Sequence, residues 1–201
     1  MSAAKKDNVK KAALPVDFTL NVWSHSLFTE YDIDLFSVGK HFRLYEKFGA
    51  HITTLNKTAG TYFAVWAPNA IKVGVVGNFN GWDRGSHPLN KRWDKSGIWE
   101  GFIPSIGKGE VYKYFVKGFD ESEHLKGDPY ATKWEHPPQT ASVIWDTDYS
   151  WKDKAWLKKR PKLNALNQPI SVYELHLGSW QRDPDEPERV LNAREVATAL
   201  V

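Results

Sequence analysis

The sequence predicts a mainly β fold: a β-sandwich preceded by short helices and followed by the opening βα unit of a second, parallel-sheet domain. Three observations predict it. Between Thr61 and Trp145, short runs of β-branched and aromatic residues are separated by turn signals. Residues 18–48 carry apolar positions at helical spacing. Pro169–Gly178 is apolar on both faces. The 201 residues allow one compact domain and a remainder, not two full-sized enzyme domains.

Residues 1–17 are small and charged up to Pro15, which reads as a flexible tail. Residues 18–57 follow as an N-terminal helical segment, with Leu35, Phe36, Val38, Phe42, Tyr45 and Phe48 at helical spacing and a break near Gly39. From residue 58 to 147 the period changes to two. Tyr62–Trp66, Ile71–Val75, Ile98–Phe102, Val111–Val116 and Ser142–Trp145 read as strands, divided by turns at Ala67–Asn69, Asn80–Asp83, Lys95–Gly97 and Gly107–Gly109. Within these strands Trp66, Trp99 and Trp145 are expected in or near the core. Residues 148–168 read as a linker, helical in part.

Residues 169–201 begin with Pro169–Gly178, whose two apolar faces suit burial in a parallel sheet. A proline-containing loop and a helical pattern at Val190, Val196 and Leu200 follow. One βα unit cannot cover both faces of its own strand. The expectation is therefore a truncated chain, holding a whole first domain and the start of a second.

Composition narrows the function. No apolar run approaches the roughly 18 residues of a membrane span, so no membrane partner is expected. With no cysteine, there is no disulfide framework, thiolate zinc site or thiol nucleophile. No apolar leader stands near Met1, and the chain reads as cytoplasmic. The net charge of +3 sits mainly in residues 1–17 and 152–162, leaving the aromatic-rich middle nearly neutral. That distribution argues against nucleic acid as the partner, although Trp151–Trp156 interleaves lysine and tryptophan in the manner of a single-strand platform. Ten tryptophans without local net charge suit a neutral, hydroxyl-rich ligand such as a sugar.

No HExxH, phosphate-loop or dinucleotide-loop pattern is present, so no metal, cofactor or catalytic residue is assigned. Glu174 and His176 share one face of the expected strand, which is a weak signal. The best candidate is Asn78-Phe79-Asn80-Gly81-Trp82-Asp83. There Trp82 offers a ring to stack on a sugar, and Asn78 and Asn80 offer amides for its hydroxyls. The alternative is that Trp82 plugs the end of the sandwich. Lys113, on the opposite strand face from Tyr112 and Tyr114, is either a sugar ligand or an ordinary surface lysine.

The runs RLYEKFGAH at 43–51, FAVWAPNA at 63–70, VGNFNGWD at 76–83, SGIWE at 96–100, YKY at 112–114, DPYA at 128–131 and VYELHLGSW at 172–180 together resemble glycogen (1,4-α-glucan) branching enzymes. The match runs from about Leu35 to Trp180. The resemblance implies that residues 58–147 are an immunoglobulin-like, family 48 carbohydrate-binding module, and that Ile170–Leu177 opens a (β/α)₈ catalytic barrel. Such a barrel needs about 250 residues. The family's Asp nucleophile, Glu acid/base and further Asp lie on later barrel strands, so none is carried over.

For α-glucan binding the resemblance points to Trp82 and Lys113. The family's second tryptophan and its asparagine near the last strand have no counterpart in Phe119–His124 or Thr140–Val143, which implies weak binding. The expected function is the glucan-binding and docking portion of a branching enzyme, with glycogen or malto-oligosaccharides and the missing barrel as partners. The alternative is a non-catalytic glucan-binding regulatory or scaffold subunit.

Overall fold

Two antiparallel sheets pack face to face in the computed structural model, which describes residues 20–200. The expected 1–17 tail lies outside the described residues. One sheet has the order β1-β2-β5-β4, with β1 Gly49–Leu55, β2 Thr58–Trp66, β4 Asn90–Lys91 and β5 Ile98–Pro104. The other has the order β3-β6-β9-β8, with β3 Ala70–Gly77, β6 Val111–Gly118, β8 Lys133–Trp134 and β9 Ser142–Val143. In this second sheet β7, Glu123–Lys126, also pairs with β6. The fold is thus mainly β and a sandwich, as the alternating pattern predicts.

Alternation decides what fills the space between the sheets. Phe63, Val65, Trp99 and Ile103 from one sheet meet Val73, Val75, Tyr112 and Tyr114 from the other. Phe63 and Tyr112 lie edge to face across the layer with ring centroids 5.1 Å apart. Each such ring or branched side chain contributes roughly 1.5–3 kcal/mol by leaving water.

Strands β2 and β5 are buried on both faces, because Tyr62, Ala64, Ile98 and Phe102 point outward into a second apolar cluster with Trp23, Phe28 and Phe48. Helix α1, Glu30–Ser37, adds Ile33 and Phe36 to this layer. Thr29 caps the helix, accepting from the Asp32 N–H while the Asp32 carboxylate accepts from the Thr29 N–H. A buried charge network also fastens the layer. Arg92 Nη1 donates to Glu100 Oε1 at 2.6 Å, and Tyr62 Oη and Ser26 Oγ donate to Glu100 Oε2 at 2.6 and 2.9 Å.

Three expectations are corrected. The helical segment of residues 18–57 gives way at Gly49 to β1, which pairs with β2 from Gly49↔Ala64 to Leu55↔Thr58. As an edge strand β1 is only part-buried, so its apolar alternation is faint. Trp66 is 56% exposed rather than core. It ends β2 on the outer face, where its indole N–H donates to the Ser96 carbonyl at 3.0 Å and its ring meets Phe36 edge-on.

The third correction concerns Ile170–Leu177, which forms no strand. Residues 170–176 have no regular structure, and Ile170, Val172 and Tyr173 are 86%, 82% and 69% exposed. A parallel strand needs neighbours for its ladder, and none is present among the described residues 149–200.

Those residues form a compact unit of their own, separate from the unit ending at Asp148. It holds α2 Lys154–Leu163, α3 Leu177–Trp180 and α4 Ala193–Ala199. Asn192 caps α4, and the Arg189 guanidinium pairs with Asp183 and Glu195 at its N-terminal approach. Among the described residues no helix is long and apolar enough to cross a membrane.

Candidate functional site

Strand β3 ends at Gly77 because the chain must there pass close against β6. A Cβ on Gly77 would stand 2.2 Å from the Val111 carbonyl oxygen and 2.7 Å from the Phe79 ring. Residues Asn78–Asn80 then make one 3₁₀ turn, and Gly81 and Trp82 both enter the left-handed region, each with φ 62°. Glycine adopts that conformation freely. For tryptophan it is strained by roughly 1–3 kcal/mol, and it persists only where its surroundings fix it.

Asn80 supplies much of that fixation. Its Oδ1 accepts from the Gly77 N–H at 3.0 Å, while its Nδ2 donates to the Val75 carbonyl at 3.0 Å and to His87 Nδ1 at 2.9 Å. Burial lowers the pKa of His87 against the opposing pull of Asp83, which favours the neutral ring, and because the Asn80 amide nitrogen can only donate, Nδ1 is the acceptor of that bond. Both ends of the Asn80 amide are therefore engaged inside the turn, which makes Asn80 a positioning residue rather than a ligand group.

The product of this scaffold is a half-buried Trp82. Its backbone N–H donates to the Gly77 carbonyl at 2.9 Å and its indole N–H donates to Asn78 Oδ1 at 2.9 Å. With the indole N–H satisfied, the ring face is what remains to offer a ligand. Asn78 is exposed, and that bond uses its Oδ1.

Lys113 lies on the adjacent strand, where the register pairs it with Val76 and pairs Tyr112 with Gly77. Its ammonium donates to Thr140 Oγ1 at 2.6 Å. The structure thus joins Asn78, Asn80 and Trp82 in one turn and sets Lys113 beside the strand that leads into it. No bond between Lys113 and Trp82 is present.

Two side chains of this region carry no motif and were missed by sequence reasoning. Arg84 donates to Glu123 on β7 at 2.7 Å and lies over the Phe115 ring at 5.6 Å, tying the turn to the hairpin that follows β6. Thr140, partner of Lys113, comes from the β8–β9 connection. Only the sheet register could have announced either. In the other unit, His176 Nδ1 bonds Ser179 Oγ at 2.9 Å, and no group of three metal-ligating side chains occurs among the described residues.

Residues 47–131, which include the Trp82 turn and Lys113, match the model of carbohydrate-binding module 48, the isoamylase N-terminal domain. Residues 47–131 are a carbohydrate-binding module 48. Around this module the chain is similar to bacterial branching enzymes. It is 48% identical over 175 residues to the 1,4-α-glucan branching enzyme GlgB of Aquifex aeolicus, covering 87% of this chain and 28% of that enzyme. With GlgB of Gloeobacter violaceus it shares 47% over 177 residues, covering 88% of this chain and 24% of that one.

The chain therefore spans roughly a quarter of the length of the curated relatives it matches. The resemblance to the N-terminal portion of these enzymes holds across most of its residues, inside and outside the module. Among solved structures, Klebsiella pneumoniae pullulanase complexed with maltotriose is similar at 27% identity and a TM-score of 0.43, over 56% of this chain and 11% of that one.

Proposed function

We propose that this chain is the α-glucan-binding and docking portion of a cytoplasmic glycogen branching enzyme, and that Trp82 is its principal sugar contact. The observation that carries the reading is the left-handed, half-exposed Trp82, whose indole N–H is held by Asn78 and whose turn is braced by Asn80 at Gly77. A glucose ring has an apolar face and a polar rim. Trp82 matches the face, and the Asn78 amide and the Lys113 ammonium match the rim as hydroxyl partners. A strained aromatic fixed in one orientation loses little freedom when a ligand stacks on it.

In the full-length enzyme the reaction would cut an α-1,4 link and rejoin the chain at a 6-hydroxyl. The family's nucleophile and acid/base would lie on later barrel strands, and the role proposed for this portion is to hold the glucan. Affinity electrophoresis tests the reading. The chain is expected to be retarded in gels containing glycogen and not in gels containing dextran or single-stranded DNA, with retardation reduced by Trp82→Ala. Equal retardation of the parent chain and Trp82→Ala in glycogen would remove the site assignment. Retardation in DNA alone would remove the glucan reading itself.

A further inference from the structure

We infer that the module carries a second α-glucan contact in a groove between the β1 edge of one sheet and the β8–β9 edge of the other. The inference rests on the reading of the module as a glucan binder. The groove is open, about 430 Å³ in volume, and lined by Tyr45, Phe48, His51, Tyr130, Thr132 and Asp148 among others. That volume falls within the roughly 300–1,000 Å³ of small-molecule sites. It is a different place from the Trp82 turn, because β3, which leads into that turn, and β8 stand at opposite ends of the strand order β3-β6-β9-β8.

Its floor is built rather than incidental. Asp128 is fully buried, accepts from the hydroxyls of Tyr112 at 2.6 Å and Tyr114 at 3.2 Å, and accepts from the Tyr130 N–H at 2.8 Å. The Tyr130 ring then stacks on Phe48, with centroids 5.2 Å apart and planes 27° apart, and remains 38% exposed. One covered ring face and one open side are what a sugar-stacking platform requires. Tyr45 stands 61% exposed along the same groove.

The polar lining selects among ligands. His51 is turned inward, its Nε2 bonded to the Phe48 carbonyl at 2.9 Å. Asp146 is paired with Lys108 at 2.9 Å and Glu46 with Arg43, Lys133 lies over the Trp145 ring at 3.4 Å, and Asp148 adds a carboxylate at the rim. With its carboxylates largely paired, the lining is close to charge-balanced and its remaining oxygens accept from O–H groups, so the complementary ligand is a neutral polyol with apolar ring faces. Two aromatic side chains on such a rim fit an α-glucan better than a nucleotide or an acidic peptide.

A heteronuclear NMR titration of the chain with maltoheptaose tests this, using Trp82→Ala, Tyr45→Ala and the near-isosteric Asp148→Asn. Two separate groups of amides are expected to shift, one at Asn78–Asp83 and one at Tyr45–Ile52 with Thr147 and Asp148. Trp82→Ala is expected to erase the first group alone. Tyr45→Ala and Asp148→Asn are each expected to weaken the second by about tenfold without changing the unshifted spectrum. Shifts at Asn78–Asp83 with none in the groove would overturn the inference and leave the proposed function standing. Shifts nowhere would remove both. Equal groove shifts with cellohexaose would overturn the inference by showing no preference for α-linked chains.

Discussion

Trp82 donates its indole N–H to Asn78 Oδ1 at 2.9 Å, so a residue four positions earlier fixes the direction of a ring whose backbone lies in the left-handed region. Orientation and strain are thereby coupled in a turn of six residues. If the ring is a sugar platform, its partner sets the platform's angle without touching the core.

Asn78→Ala should therefore weaken glucan binding while leaving thermal stability nearly unchanged, since Asn78 is exposed. A hydrogen bond of about 1 kcal/mol that selects one ring orientation corresponds to roughly a fivefold loss of affinity. Calorimetric titration with maltoheptaose, beside a melting curve, reads both quantities.

Asn80→Ala should behave oppositely. It would leave the Gly77 N–H and the Val75 carbonyl without their side-chain partner, at a cost of about 1–3 kcal/mol. Denaturant unfolding is expected to show that loss, with glucan binding falling as the turn relaxes. Unchanged stability would mean that backbone strain at Trp82 is held by something other than Asn80.

The pH dependence follows from His87. Burial lowers its pKa below the ordinary 6.5. The folded state therefore binds the proton less readily than the unfolded chain, and the resulting stability is fully present above 6.5 and lost as pH falls through the lower folded value. Protonation of Nδ1 would also set a donor against the Asn80 amide. Melting temperature should fall as the pH drops below 6.5, and His87→Gln should remove part of that slope. His25, also lowered by burial, contributes with the same sign.

The Arg92–Glu100 pair offers a stability test away from the turn. Their side chains are each 8% exposed, and Arg92 also bonds Asp94. Arg92→Ala would leave Glu100 buried with its cation gone, costing about 3–5 kcal/mol. Limited proteolysis should then cut first near Ser26, because Ser26 is bonded to the Glu100 carboxylate that the substitution strands.

Much of this arrangement was legible in the residues. Strands β2, β3, β5 and β6 announce themselves because each carries branched or aromatic residues against a packed face and ends in a glycine, proline or asparagine turn. Strand β1 was hidden, since an edge strand with alternate residues in water has a weak apolar rhythm, and β7, exposed throughout, has almost none. Ile170–Leu177 misled in the other direction. Its composition suits a parallel sheet, but composition cannot supply the neighbours that a ladder needs. At the site, Trp82 and Asn78 could be named from the turn motif alone. The role of Asn80 could not, because it depends on His87 being brought back to the turn by the loop that crosses to β3, where Val75 N–H donates to the His87 carbonyl at 3.0 Å. Trp66 shows the same limit. Strand membership gave its position, while its outward face followed from the layer laid down by α1.

The central claim is that Trp82 is a glucan contact, and isothermal titration of the chain and of Trp82→Ala with maltoheptaose tests it most directly. Saturable binding by the parent chain that falls at least tenfold in the variant, with both melting alike, is the predicted result. Identical isotherms for the two proteins would contradict it.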